Sequence, residues 1–345
     1  MITEIIKVTD IEKQAGDIAR AGGIIRHGGL VAFPTETVYG LGASAYDAEA
    51  ALSVFSAKGR PADNPLIVHI AEPGDAEAIA ETSELYYRLA ERFMPGPLTI
   101  ILPKKDVIPG AVTAGLDSVA VRCPSNRIAN ALIHASGVPI AAPSANRSGR
   151  PSPTTAAHVY EDMDGIIPMI LDGGDADFGL ESTVVKPDGD GCIILRPGAV
   201  TVEMLAECCR FVKIAEAVTN PEKAGDKPLS PGMKYKHYAP KAELTLIDAD
   251  EDSFASFVLT HGGSDTAVLC PTEDERKYAD AGMIPLVIGG RGDVTEYCHR
   301  LFSLLREADE KGAGRIYARL PSTDGESLAI YNRIIRAAGC RVIKI

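Results

Sequence analysis

Five runs of aliphatic and β-branched residues each end in a short polar stretch. Residues 30–33 (LVAF) lead into Pro34-Thr35-Glu36-Thr37, residues 65–68 (PLIV) into His69, and residues 118–121 (SVAV) into Arg122. Residues 138–143 (VPIAAP) lead into Ser144-Ala145-Asn146, and residues 192–195 (CIIL) into Arg196-Pro197-Gly198. Ligands of α/β sheets gather at the carboxyl ends of strands. One crevice could therefore collect hydroxyls, an amide, an imidazole and two guanidinium groups. Any single Thr, Ser or Asn here also suits a turn or a cap; the recurrence at five strand ends points to a site.

Lys58-Gly59-Arg60 follows a helix that Asp47 caps, and Pro61 and Asn64 come next. Cations are favoured at a helix C-terminus and Gly suits the position just beyond it, so the trio could serve the helix alone. Projected instead beside Pro61 and Asn64 toward the crevice, Lys58 and Arg60 would neutralise a polyphosphate, Arg as a fork and Lys as a point charge; as a helix-end cation Lys58 would be exposed. No GxxxxGK[ST] occurs, which excludes a P-loop enzyme. Gly40-Leu41-Gly42-Ala43-Ser44-Ala45 matches G-x-G-x-x-A but follows a PTETVY turn, so its glycines are read as allowing a tight turn and close backbone approach. There is no HExxH, and spacing assembles no Ser-His-Asp set.

Helices and short strands must position these groups. Thr9 with Glu12 reads as a capping box for a first helix, with Ile11, Ala15, Ile18 and Ile25 on one face and Gly28-Gly29 at its end. The helix after Asp47 is expected to turn Leu52 and Phe55 inward, and a longer helix to cover about 75–93. Near-continuous apolar strands at 65–69, 98–102, 118–122, 138–142, 166–171, 182–185 and 192–196 imply a mostly buried sheet, an α/β or α+β layer. Residues 219–240 are rich in Pro, Gly and Lys, a linker by composition. Beyond it ELTLID, TAVLC, IPLVIG, RIYARL and RVIKI alternate with helical stretches near 293–307 and 326–338. That predicts a small Rossmann-like βαβ domain without a Gly-rich phosphate fingerprint. The expected division is 1–215 for the first domain, 216–241 for a linker lying as a lid over its site, and 242–345 for the second domain.

The chain has 345 residues, so two domains are expected, and a net charge of −12. Residues 1–210 hold 17 Lys and Arg against 27 Asp and Glu, a balance of −10, which weighs against a general nucleic-acid binder. Seven cysteines, odd in number and without a CxxC, argue against a disulfide framework and a structural zinc. With no signal-like N-terminus and no apolar run near the ~20 residues of a membrane span, a soluble cytoplasmic protein is expected.

Together the motifs resemble the threonylcarbamoyl-AMP synthase family, the YrdC-type enzymes, in its longer two-domain form. They are PTETVYGLG (34–42), KGRP (58–61), NPLIVH (64–69), PGPLT (95–99), VAVRCP (119–124) and APSANRSG (142–149). LDGG (171–174), ESTVV (181–185), LRPG (195–198) and SPGMKYKHYAP (230–240) complete the set. The resemblance implies a twisted mixed sheet with a large cavity. There L-threonine, bicarbonate and ATP, with Mg2+ and no organic cofactor, become L-threonylcarbamoyl-AMP and pyrophosphate for N6-threonylcarbamoyladenosine formation in tRNA. By the same resemblance Thr37, His69, Arg122, Ser144 and Ser182 line the threonine site. Lys58, Arg60, Asn64, Ser118, Ala142, Asn146, Ser152, Arg196 and Tyr235 contact ATP, with Lys58 and Arg60 carrying the catalytic charge; Thr35 is a close neighbour. No metal ligands are named. The partner downstream is the tRNA threonylcarbamoyl-transfer machinery, and direct contact with tRNA stays open. The alternatives are a double-stranded RNA or tRNA binding module, or a nucleotide sensor, of the same fold without turnover.

Overall fold

A computed structural model describes residues 2–220 and 238–345. Among these, one compact unit takes in residues 2–148 and 152–220, and a second 149–151 and 238–345. The first unit is built on eleven strands: β1 (Glu4–Lys7), β2 (Val31–Phe33), β3 (Gly40–Ser44), β4 (Ile67–His69), β5 (Leu98–Pro103), β6 (Ser118–Arg122), β7 (Ile140–Ala142), β8 (Met169–Asp172), β9 (Thr183–Asp188), β10 (Gly191–Arg196) and β11 (Val212–Ile214). They form one mixed sheet in the order β1-β8-β2-β3-β7-β4-β6-β5-β9-β10-β11. Parallel pairs (β4 with β6, β5 with β9) alternate with antiparallel ones (β4 with β7, β5 with β6).

The strands are short and apolar because both faces of the central sheet are covered. Successive side chains point to opposite faces. Leu66, Val68, Leu98, Ile100, Leu102, Val119, Val121, Val185, Cys192 and Ile194 enter the main core, with Phe55, Leu85 and Leu89 of the helices. The intervening residues Ile67, Ile101, Ala120, Val184 and Leu195 form a separate small cluster on the other face. His69 and Arg122, two residues on from Ile67 and Ala120, belong to that second face, as do Thr99 and Ser182.

Several local expectations are corrected. The first helix is Ala15–Arg26, with Gln14 before it and no side-chain cap. Asp10 Oδ1 accepts from the amides of Glu12 and Lys13, and Gln14 Oε1 from the Asp10 amide, so residues 10–13 close a turn in place of the Thr9 capping box. Asp47 does cap helix Ala48–Lys58, and Gly59 ends it at φ +62°, but Leu52 faces outward and Val54 and Phe55 face the core. The stretch 75–93 is two elements, a 3-10 turn Pro73–Ala78 and helix Glu84–Phe93, because Ser83 caps the latter by accepting from the Tyr86 amide. Gly40–Ser44 is strand β3, not a turn. A Cβ on Gly42 would meet Phe33 Cε1 and Ile140 Cγ2, each at 2.8 Å, so glycine here admits close packing within the sheet.

The second unit holds five parallel strands, β12 (Glu243–Asp248), β13 (Thr266–Cys270), β14 (Ile284–Val287), β15 (Arg315–Arg319) and β16 (Val342–Lys344), in the order β14-β13-β15-β12-β16. A cavity of about 450 Å3 opens at their carboxyl ends. Asp248, Glu251, Asp274 and Asp293 outnumber Arg291 and Arg319 in its lining, and Arg291 is bound to Glu251 and Asp274. That acidic mouth is poorly matched to a phosphate.

Candidate functional site

Arg122 and Glu36 form a buried ion pair. Arg122 Nη2 donates to Glu36 Oε1 at 2.7 Å, with side chains only 4% and 9% exposed. Arg122 Nε makes a longer contact, 3.4 Å, to the Gly96 carbonyl. Glu36 Oε2 is buried without a hydrogen-bond partner. The Glu36 carbonyl accepts from the Phe178 amide, which fixes the backbone of the PTET turn. Beside it, Thr35 Oγ1 donates to the Val38 carbonyl at 2.6 Å and accepts from the amides of Thr37 and Val38. Its one hydrogen is thus used, so in the 2.8 Å contact between the two hydroxyls Thr37 donates and keeps its lone pairs for a ligand.

His69 and Arg122 are register partners on β4 and β6, which sets them side by side on the same face. His69 Nδ1 lies 3.2 and 3.3 Å from the carbonyls of Ile67 and Ile140. Two carbonyls can be met only by an N–H, so Nε2 is the free acceptor. Burial, reinforced by the neighbouring Arg122 charge, lowers the His69 pKa to about 3. The ring is neutral at physiological pH.

Lys58 is buried, 4% exposed, which corrects the expectation of an exposed helix-end cation. Its Nζ donates to the carbonyls of Ser144 (2.5 Å) and Asn146 (2.6 Å) and to Asn146 Oδ1 (3.2 Å). Ser144 Oγ donates to the same Oδ1 at 2.6 Å, and the Lys58 carbonyl accepts from the Ser148 amide. A helix terminus and the APSAN loop are thereby one assembly. Arg60 is half-buried; its Nη2 donates to the Asn64 carbonyl at 3.1 Å and its guanidinium lies 5.6 Å from the Phe55 ring centre. Asn64 is buried with Oδ1 unpartnered.

Across the sheet, Arg196 Nε and Nη2 donate to the Ser182 carbonyl and hydroxyl, each at 3.0 Å, and Thr99 Oγ1 is 2.8 Å from Ser182 Oγ. Gly198 lets the chain pass this close: a Cβ there would lie 2.5–2.8 Å from backbone atoms of Glu181, Ser182 and Thr183. Ser152 Oγ donates to Glu181 Oε1, both buried. Ala142 ends β7 opposite Ile67. Ser118 starts β6, so it shares a face with Arg122 at the other end of the strand, ~13 Å away at ~3.3 Å per residue. Tyr235 and most of the supposed lid lie outside the described residues.

The sequence reading did not single out Glu36, Thr99 or Glu181. The carboxylates had a signal: each is an isolated charge, 27–46 holding no Lys, Arg, Asp or Glu apart from Glu36 and 178–185 none apart from Glu181, and such a charge is buried only with a partner. Thr99, inside an apolar strand, had none.

Comparison with known proteins places this arrangement. The fold is that of the YrdC-type mixed α/β enzymes: a family model described as "Telomere recombination" (Sua5/YciO/YrdC) matches residues 23–198. A second, "Threonylcarbamoyl-AMP synthase, C-terminal domain", matches residues 200–339. Threonylcarbamoyl-AMP synthase of Pyrococcus abyssi is 44% identical over 328 residues, 92% of each chain, and that of Bacillus subtilis 42% over 344 residues, 98% of each. The crystal structure of P. abyssi Sua5 complexed with L-threonine superposes with a TM-score of 0.89 at 44% identity, covering 99% of this chain and 100% of that one. Escherichia coli YciO, at 21% identity and a TM-score of 0.53, shares the fold. The chain belongs to the threonylcarbamoyl-AMP synthase family, enzymes of the nucleotidyltransferase type.

Proposed function

We propose that this protein converts L-threonine, bicarbonate and ATP to L-threonylcarbamoyl-AMP and pyrophosphate, for threonylcarbamoylation of adenosine in tRNA. The supporting observation is the shared face: Arg122, neutral His69, Ser182 and Arg196 stand on one side of the sheet, over the small apolar cluster of Ile67, Ala120 and Val184. Arg122 takes the threonine carboxylate as a fork. Thr37, His69, Ser144 and Ser182 offer the short polar contacts that select its hydroxyl and amine. Lys58, Arg60 and Arg196, with Asn64, Ser118, Ala142, Asn146 and Ser152, receive the nucleotide, and Tyr235 joins them from the linker.

The carbamate oxygen attacks the α-phosphorus; that O–P bond forms, the α–β bridge breaks, and pyrophosphate leaves. The step needs alignment and charge neutralisation more than a protein nucleophile. Lys58 fixes the 144–146 loop while its charge, with those of Arg60 and Arg196, offsets charge growing on the leaving group. No group of three His, Cys, Asp or Glu suited to a metal occurs among the described residues. Mg2+ would arrive with the nucleotide, as MgATP, and offset the charge of its phosphates. No helix among the described residues is long and apolar enough to cross a membrane, and the cysteines are free, which suits the reducing cytoplasm. The product would pass to the machinery that transfers the threonylcarbamoyl group to tRNA.

The test is pyrophosphate release with MgATP while threonine and bicarbonate are supplied singly and together. Release that requires both supports the reading. Release without either, or none with both, overturns it.

A further inference from the structure

We propose that Glu36 binds the α-ammonium of the amino acid and takes a proton from it, while Arg122 holds the carboxylate. The inference rests on the threonine-activating reading and assigns a base to it. Its starting point is an incomplete ion pair. Glu36 Oε1 is bound to Arg122, but Oε2 is buried and has no partner. Arg122 places two of its five N–H groups, one of them in a long contact. A carboxylate oxygen kept from both water and donors is costly. A pair of opposite charges, each with capacity left over, is complementary to a zwitterion whose charges are one carbon apart.

The surroundings fit the same ligand. An ammonium needs acceptors, and the residues around the pair offer them: Glu36 Oε2, the Thr37 oxygen whose hydrogen is turned to Thr35, and Nε2 of His69, whose other nitrogen is held by two carbonyls. His69 is neutral, so it does not repel a cation, and it cannot supply the negative charge that would hold one. Glu36 can.

The chemistry demands such a group. An α-ammonium is mostly protonated at neutral pH and has no lone pair. The net step is RNH3+ plus HCO3− giving RNHCOO−, water and one proton. The N–C bond forms, one C–O bond of bicarbonate breaks, and that oxygen leaves as water. The proton released from nitrogen goes to Glu36 Oε2 and from there to solvent. A placed general base is worth about 10²–10⁴-fold.

The test compares wild-type protein with Glu36→Gln, which keeps the size and an acceptor for Arg122 but loses the charge and the base. Calorimetry with wild-type protein should show 3-hydroxybutyrate, threonine without its amine, binding about 100-fold more weakly than threonine, the scale of one buried charged contact. For Glu36→Gln that ratio should shrink to near unity while ATP affinity is unchanged. Turnover should fall about 10²–10⁴-fold and rise with pH as the free amine forms, where the wild-type profile is flatter. A wild-type protein that binds both acids within threefold overturns the proposal without any variant. So does a Glu36→Gln enzyme with wild-type turnover and pH profile. Because the wild-type enzyme is assayed alongside, absence of any threonine-dependent turnover in it would instead refute the underlying function.

Discussion

Replacing Lys58 with methionine separates a buried structural cation from one that merely decorates a helix end. Methionine retains the apolar stem and removes the ammonium. The carbonyls of Ser144 and Asn146 then lose donors at 2.5 and 2.6 Å, whereas Asn146 Oδ1 keeps the Ser144 hydroxyl. A buried carbonyl stranded without a donor costs about 1–3 kcal/mol, so the Ser144 carbonyl, which loses the Lys58 ammonium, predicts a loss of about that size. An exposed helix-end cation would cost only about 0.3–1 kcal/mol. Urea denaturation followed by circular dichroism measures the difference directly. ATP affinity, titrated on the folded fraction, should fall as well, because Lys58 and Asn146 of the loop it holds both belong to the proposed nucleotide site. A Lys58→Met protein destabilised by less than 1 kcal/mol would refute the reasoning that ties the helix to the loop.

Two further outcomes follow. Gly198→Ala puts a methyl 2.5–2.8 Å from the backbone of residues 181–183; it should cost about 1–3 kcal/mol or more and weaken threonine binding through Ser182. Gly74→Ala, which meets nothing within 4 Å, is its control, and equal urea midpoints for the two would contradict the packing argument. His69 has its pKa lowered to about 3 from 6.5. Between those values the unfolded chain binds a proton that the native state refuses, so stability is present above pH 6.5 and is lost as pH falls. From pH 7 to 5 this one group should remove about 2 kcal/mol, and His69→Gln should lose that much less than wild type over the same range. Identical pH dependence in the two proteins would show that His69 titrates normally.

The strand ends were legible in the sequence because a buried strand that stops at a polar residue leaves a pattern in one dimension. Arg122, His69 and Arg196 came from that pattern, Ser182 only from the family resemblance, and all four stand on one face of the sheet. What was not legible depends on partners far along the chain. β3 looks like a glycine-rich turn until Phe33 and Ile140 are seen to fill the space of a Cβ. Lys58 looks exposed until a loop 86–88 residues away offers it three oxygens. Glu36 looks like a turn residue until Arg122, 86 residues on, binds one of its oxygens and leaves the other bare. The break at Ser83 failed for the opposite reason. Its capping signal is local, but the apolar spacing on either side runs on across it.

The central claim is that threonine and bicarbonate are joined and then adenylylated at this one site. It is tested most directly by incubating the protein with MgATP, threonine and 13C-bicarbonate and analysing the nucleotides by mass spectrometry. The account predicts an adenylate carrying threonine and one heavy carbon, absent when threonine is replaced by 3-hydroxybutyrate. An adenylate of threonine without the heavy carbon, or AMP and pyrophosphate formed equally well without bicarbonate, would contradict it.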